Sequence, residues 1–256
     1  MKLEIFTIAL DAMPFITWHL PVFNRLKLDW HWTIAEGAAM NTHCTSWCKP
    51  QPPHNSRDGT LKYLAEIKAF HPRITLLSSS AWDGKVSQCN ACLSHISEPC
   101  ILLQMDADEI WTRQQLESLV AFFEAHREIN CARFFCRYFV GQSLITVGED
   151  CYGNNPGEWL RAWRFYPGQK FERHEGPALA GVRESSATRE QTRGCDLVFD
   201  HYAYAFEEQV RFKQDFYNYP DAVNHWLGLQ RHNQFPCKLK PFLPWVDDRV
   251  VVDRLF

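Results

Sequence analysis

No uncharged apolar run in this chain reaches the roughly 18 residues a bilayer-spanning helix needs, so no integral membrane segment is expected. Nor is there an excess of positive charge. The 27 Lys and Arg stand against 30 Asp and Glu, a net charge of −3, which argues against a nucleic-acid partner held by phosphate neutralisation. Between Thr7 and Pro14, after the first apolar run, no glycine-rich loop follows, which counts against a nucleotidyltransferase phosphate cradle. Internal repeats and low-complexity segments are also missing. Cys44 and Cys48 lie close together, as do Cys89 and Cys92, but neither pair has a second close pair beside it. Structural zinc is therefore not expected. The N-terminal run carries Glu4 within it and reads as a strand rather than a secretory signal. The ten cysteines are accordingly expected as reduced thiols of a cytoplasmic protein.

What is present is an ordinary globular balance of 46% apolar and 22% charged residues over 256 positions, with 14% aromatics. In the first half, strand and helix signals alternate. Ile5 to Leu10, Trp30 to Ala35 and Arg73 to Ser78 read as strands, and Pro14 to Leu26, Thr60 to Phe70 and Lys85 to Ile96 as helices. This alternation predicts βαβ units and a parallel sheet. After Thr112, a fair N-cap for a helix over Arg113 to Arg127, the pattern loosens. Ala132 to Val140, Leu144 to Val147, Leu160 to Tyr166 and Leu197 to Phe199 read as strands. Gly181 to Gly194 reads as a mobile loop, Phe206 to Arg231 as an aromatic-rich helix, and the tail after Pro236 as irregular. The expected plan is one compact unit: a nucleotide-binding half over residues 1–125 and an acceptor-side half with a helical extension over 126–256.

The densest chemistry lies in Ile101-Leu102-Leu103-Gln104-Met105-Asp106-Ala107-Asp108-Glu109, a doubly buried strand ending in three carboxylates. Carboxylates delivered there must meet water or a cation. The carboxyl ends of parallel strands are where open α/β sheets bind ligands, and Mg²⁺ or Mn²⁺ takes oxygen ligands. Asp11, Glu36 and Asp83 end or follow neighbouring strands on what should be the same edge. Each alone is as readily a turn residue or cap. Lys85 could offset phosphate charge, Arg161 and Arg164 could reach phosphates, and Glu109 reads as a local cap.

The first strand ending in Asp11, the segment Trp32-Thr33-Ile34-Ala35-Glu36-Gly37, the segment Trp82-Asp83-Gly84-Lys85 and the Asp106-Ala107-Asp108 triplet follow one another in order. In this order they resemble glycosyltransferase family 2, with its GT-A fold. The resemblance implies an α/β, Rossmann-like, mostly parallel sheet flanked by helices, with a mixed C-terminal extension. It implies an inverting, metal-dependent transfer of sugar from a nucleotide-diphosphate donor to a carbohydrate or other hydroxyl-bearing acceptor. Asp11, Glu36, Asp83 and Lys85 would then lie near the nucleotide, Asp106 near ribose and metal, and Asp108 on Mn²⁺ or Mg²⁺. His201 or His174 would complete the metal site, and Asp150, or next to it Glu149, would serve as base, with Glu175 as a further option. The alternatives are a non-catalytic carbohydrate- or partner-binding module on the same scaffold and a metal-dependent hydrolase or nucleotidyltransferase.

Overall fold

The computed structural model describes residues 1–40, 49, 51–148, 150, 152–174, 176–182 and 185–255. Cys44, Cys48, Glu149 and Glu175 lie outside these. The first half runs β1 (Leu3–Ala9), α1 (Ile16–Phe23), β2 (Trp30–Glu36), α2 (Thr60–Phe70), β3 (Ile74–Ser78), α3 (Lys85–Leu93) and β4 (Cys100–Gln104). It continues with β5 (Glu109–Ile110), α4 (Arg113–Ala125), β6 (Cys131–Arg133), β7 (Phe135–Tyr138), β8 (Leu144–Val147) and β9 (Leu160–Phe165). Then follow β10 (Phe171–Arg173), β11 (Ala178–Leu179), β12 (Ser186–Ala187), α5 (Arg189–Arg193), β13 (Val198–His201), α6 (Glu207–Phe216), α7 (Ala222–Arg231), β14 (Cys237–Lys238) and β15 (Val251–Arg254).

The central sheet has seven strands in the order β12-β6-β9-β4-β1-β2-β3. Strands β1 to β4 pair in parallel, while β9 runs antiparallel between β4 and β6. This is the mixed α/β sheet expected from the sequence. All five residues of β4 are buried, because sheet neighbours flank it and both its faces are covered. Each fully buried Ile or Leu there contributes about 1.5–3 kcal/mol. Helix α3 covers one face with Cys89, Cys92 and Leu93. Thr112 caps α4 through a reciprocal capping box with Gln115, as its sequence position implies, and α4 buries Leu116, Leu119, Val120, Phe122 and Phe123.

Parallel register brings the carboxyl ends of β1, β2 and β4 to one edge. Ala9 pairs with Glu36, and Phe6 with Gln104, so Asp11, Gly37 and Asp106 all emerge there. A second, three-stranded sheet in the order β5-β13-β7 closes over that edge. Its register sets His201 opposite Glu109 and Asp200 opposite Ile110, and the Tyr202 amide donates to the Asp108 carbonyl at 2.8 Å. A strand nearly a hundred residues downstream is thus zipped onto the residue after the triplet.

Four expectations for the second half need correction. The strand over Ala132 to Val140 breaks at Phe134, with β6 joining the central sheet and β7 the small one. The helix over Phe206 to Arg231 is two helices, because Pro220 cannot continue a helix and Asn218 and Asp221 take left-handed backbone conformations. The segment Gly181 to Gly194 carries β12 and the capped helix α5. The tail is anchored by β15, which pairs antiparallel with β8 and β14. Helix α1 starts at Ile16 rather than Pro14.

Candidate active site

A cavity of about 1320 Å³ opens at the carboxyl edge of the central sheet. Its walls come from the loops after β1, β2 and β4, from the start of α3, from residues 152–161, from the loop after β10 and from one face of α6. Asp11, Lys85, Asp106, Asp108, His174 and His201 all line it, so six of the residues singled out from sequence share one space.

The triplet is held by an arginine. Arg161 on β9 is buried, and its guanidinium lies 3.0 Å from Asp106 Oδ2 and 2.7 Å from Glu109 Oε1. A second contact, from Nε to Glu109 Oε1 at 2.9 Å, fixes the fork, and the Trp159 ring lies 5.0 Å from the guanidinium carbon. Arg161 therefore answers carboxylates rather than phosphates. Arg164 is likewise committed, to the carbonyls of Phe123 and His126. Burial pushes the Glu109 carboxyl up to about 8 against the pull of Arg161. At Asp106 burial also pushes upward, but Arg161, with help from His174, outweighs it and leaves the carboxyl below its ordinary range. Glu109 is thus an internal counter-ion of Arg161 as well as an acceptor for the Asp106 amide at 3.3 Å.

Asp108 faces the opposite way. His201 Nε2 lies 3.5 Å from its Oδ1 and Gln209 Nε2 3.5 Å from its Oδ2. Burial would raise this carboxyl, but His201 foremost, then Lys213, hold it at about 2. The His201 ring stands edge-on to Trp159 at 4.8 Å and to Tyr138 at 5.1 Å, which fixes its orientation. His174 is placed differently. Its Nε2 meets the Gln104 amide nitrogen at 3.4 Å, and burial with Lys85 nearby pushes its imidazole down to about 3. Among the described residues, neither histidine's buried Nδ1 has a hydrogen-bond partner.

Below the triplet, His19 of α1 is buried, and its Nε2 donates to the Ala107 carbonyl at 2.8 Å. Burial pushes this imidazole down from 6.5 to about 4. A histidine with a depressed folded pKa contributes stability that is present above its unfolded value and is lost as pH falls toward the folded one. Between pH 6.5 and 4 the protein should therefore lose about 3 kcal/mol on account of His19. His19→Gln keeps a donor in place without the titration. Its urea-unfolding free energy should fall less steeply over that interval, and equal slopes for the two proteins would refute the assignment.

The remaining sequence-predicted residues divide. Asp11 takes a left-handed backbone conformation and accepts from the Arg57 amide at 2.6 Å, while its own amide bonds Ser56. Glu36 does not line the cavity. It is fully buried, and its carboxylate accepts from Ser56 N, Asn55 Nδ2 and Ser78 Oγ at 2.7–2.8 Å, pinning the loop after β2 to the sheet. Gly37 beside it allows no side chain, because a Cβ would stand 1.8 Å from the Ser79 carbonyl oxygen. Asp83 is exposed and outside the cavity lining. Asp150 is also outside it, and its carboxylate forms an ion pair with Arg189.

Several lining residues went unrecognised in the sequence. Arg57 and Asp58 come from the loop before α2, and Asp58 accepts from the Met13 amide at 2.8 Å. Glu208, Gln209 and Lys213 come from α6, and Tyr138, Tyr152, Trp159, Tyr204 and Tyr219 form an aromatic wall. The Tyr152 and Tyr204 hydroxyls are 2.8 Å apart. Among the described residues, no three His, Cys, Asp or Glu side chains are gathered into a ready-made metal cage.

The family model described as glycosyl transferase family 2 matches residues 54–176, a span that contains the triplet, Arg161 and His174. A mannosyltransferase from Pyrobaculum calidifontis, solved with GDP-Man and Mn²⁺, shares the fold at 16% identity and a TM-score of 0.50, over 94% of this chain and 67% of that one. The 1–349 fragment of TarS from S. aureus, solved with UDP, aligns at 13% identity and a TM-score of 0.41 over 64% of this chain. The present chain spans 47% of that fragment's length. No curated protein matches the sequence. Over residues 54–176, just under half of its length, the chain is similar to glycosyltransferase family 2, and its fold is of the GT-A type.

Proposed function

We propose that the cavity binds a nucleotide-diphosphate sugar with a divalent cation and transfers the sugar, with inversion, to an acceptor hydroxyl. The observation that carries this reading is the Asp108–His201 pair, a carboxylate and an imidazole 3.5 Å apart at the carboxyl edge of the parallel strands. Mg²⁺ and Mn²⁺ sites that handle phosphates commonly use one or two protein ligands and leave other positions to phosphate oxygens and water. The residues present suit that arrangement, since Asp108 is held ionised and His201 Nε2 stands 3.5 Å from its carboxylate at the cavity. His201 is the better second ligand, because Gln104 occupies Nε2 of His174. Such an ion, when bound, supplies Lewis-acid stabilisation to the departing diphosphate.

On this reading, residues 1–125 hold the nucleotide, with Asp11 and the Arg57–Asp58 loop at its base and ribose end, and residues 126–256 hold the acceptor. Arg161 keeps Asp106 ionised and immobile beside the reacting centre. Inversion needs a proton acceptor within reach of the attacking hydroxyl. Asp150 is engaged by Arg189, while Asp11, Asp58 and Glu158 are engaged by nearby amides. Glu208 lines the cavity, and among the described residues no hydrogen bond or salt bridge engages it, so it is the leading candidate for the base. The buried free thiols Cys89, Cys92, Cys100 and Cys136 suit the reducing cytoplasm. Among the described residues, no helix is long and apolar enough to cross a membrane.

A thermal-shift screen of UDP-, GDP-, CMP- and dTDP-sugars with and without Mn²⁺ tests this directly. A donor at a hundred times its Kd stabilises by about 2.7 kcal/mol. One donor should raise the midpoint in an Mn²⁺-dependent way, and Glu208→Gln should bind that donor normally but fail to transfer. No shift with any of the four donors would contradict the reading.

A further inference from the structure

Two lysines from distant parts of the chain face the same region of the cavity. Lys85 opens α3, and Lys213 stands on α6 one turn beyond Gln209, the residue whose amide approaches Asp108. Residues 209, 213 and 216 all line the cavity, so one stripe of α6 looks into it. The Lys213 ammonium lies 4.4 Å from the Tyr204 ring centre and that of Lys85 5.6 Å from Phe216.

Among the described residues, no hydrogen bond or salt bridge engages Lys213. Burial pushes its ammonium below the usual lysine range, Asp108 pulls the other way, and the charge of Lys85 adds repulsion. Asp106, the other nearby acid, is already tied to Arg161. Two half-buried ammoniums that repel each other, with the nearby Asp108 only partly offsetting them, are stabilised by a multivalent anion placed between them. The ligand proposed for this cavity carries one, its diphosphate.

Resting on the nucleotide-sugar reading, we infer that Lys213, with Lys85 opposite, contacts the donor's diphosphate directly, so that part of the diphosphate affinity is independent of any divalent ion. Lys213 is then a binding residue that the apolar pattern of α6 conceals. The ammoniums and the metal ligands would grip the same group from different sides. Removing Lys213 should weaken binding in the presence and absence of metal alike.

Isothermal titration of the intact protein with UDP, GDP and inorganic pyrophosphate, in Mn²⁺ and in EDTA, tests the inference. In EDTA, Lys213→Met should weaken the nucleotide that binds, and pyrophosphate with it, by about tenfold or more, the effect of losing one charge-assisted contact. Lys213→Arg, which keeps the charge, should stay within about threefold of the parent. The apo Lys213→Met protein should melt close to the parent, since the desolvation cost of the ammonium that it removes offsets the lost attraction to Asp108. If the parent binds UDP or GDP and Lys213→Met binds it equally well, the inference is overturned and the functional reading stands. If the parent binds neither nucleotide even with Mn²⁺, both are overturned.

Discussion

Asp108→Ala should reduce sugar transfer by about a thousandfold or more, the scale on which removing a group that stabilises a developing charge acts. The substitution removes the one triplet carboxylate that faces His201 and the cavity without an arginine partner. It should leave the fold intact. The Asp108 carbonyl, not its side chain, ties the turn to Tyr202, and Gln209 retains its 2.7 Å bond to the Tyr202 carbonyl. Thermal and urea stability should fall by about 2 kcal/mol at most, the contribution at neutral pH of a carboxyl held at about 2 in the folded protein. Donor hydrolysis and transfer assays on the same preparation separate loss of chemistry from loss of protein. Activity within tenfold of the parent would show that Asp108 does not hold the catalytic ion.

Arg161→Met should destabilise the protein by about 3–5 kcal/mol, the effect of stranding one partner of a buried ion pair. Glu109 is completely buried, and two guanidinium contacts at 2.7 and 2.9 Å balance its charge. Without them it folds only as the neutral acid. The pH dependence follows. A carboxyl whose folded pKa lies above its unfolded value of 4.5 contributes stability that is whole below 4.5 and is lost as pH rises through the folded value. That folded value is already about 8 with Arg161 in place and rises further without it, so the deficit of the variant should stay level from pH 4.5 to about 8 and widen from there to about pH 9. Urea titrations across that range measure it. The double variant Arg161→Met with Glu109→Leu should recover much of the loss, because well-packed apolar replacements of a buried pair are often neutral or stabilising. A single variant as stable as the parent at pH 8 would show that Arg161 is not what keeps Glu109 inside.

The first half of the fold was legible because its signals are local. The run from Ile101 to Gln104 is apolar at every position but its last, and a strand buried on both faces needs that pattern. The alternation of strands and helices then dictated that Asp11 and Asp106 share an edge. His201 was also readable, as a polar residue ending a short apolar strand, although only the register of β13 against β5 explains why it reaches Asp108.

Other residues were hidden by what the sequence does not encode locally. Glu36 sits at a strand end like Asp11, but Asn55, Ser56 and Ser78 come from elsewhere and draw its carboxylate inward. Arg161 alternates with apolar residues as a solvent-facing strand residue would. It is buried because β9 inserts between β4 and β6, a non-local pairing. Gln209 and Lys213 lie in a helix whose aromatic residues suggested a core face, and only tertiary packing decides which stripe meets the cavity. Asp150 carried the expectation of a base, yet Arg189 holds it outside.

The central claim, that Asp108 and His201 hold a divalent ion against a nucleotide diphosphate, is tested most directly by the Mn²⁺ dependence of nucleotide affinity. Titrating the binding nucleoside diphosphate into the parent and into Asp108→Ala, with Mn²⁺ and with EDTA, isolates the contribution of the ion. The account predicts that Mn²⁺ tightens binding by about tenfold or more in the parent and that this gain vanishes in Asp108→Ala, while the weaker metal-free affinity remains. An Mn²⁺ gain of the same size in both proteins, or none in the parent, would contradict it.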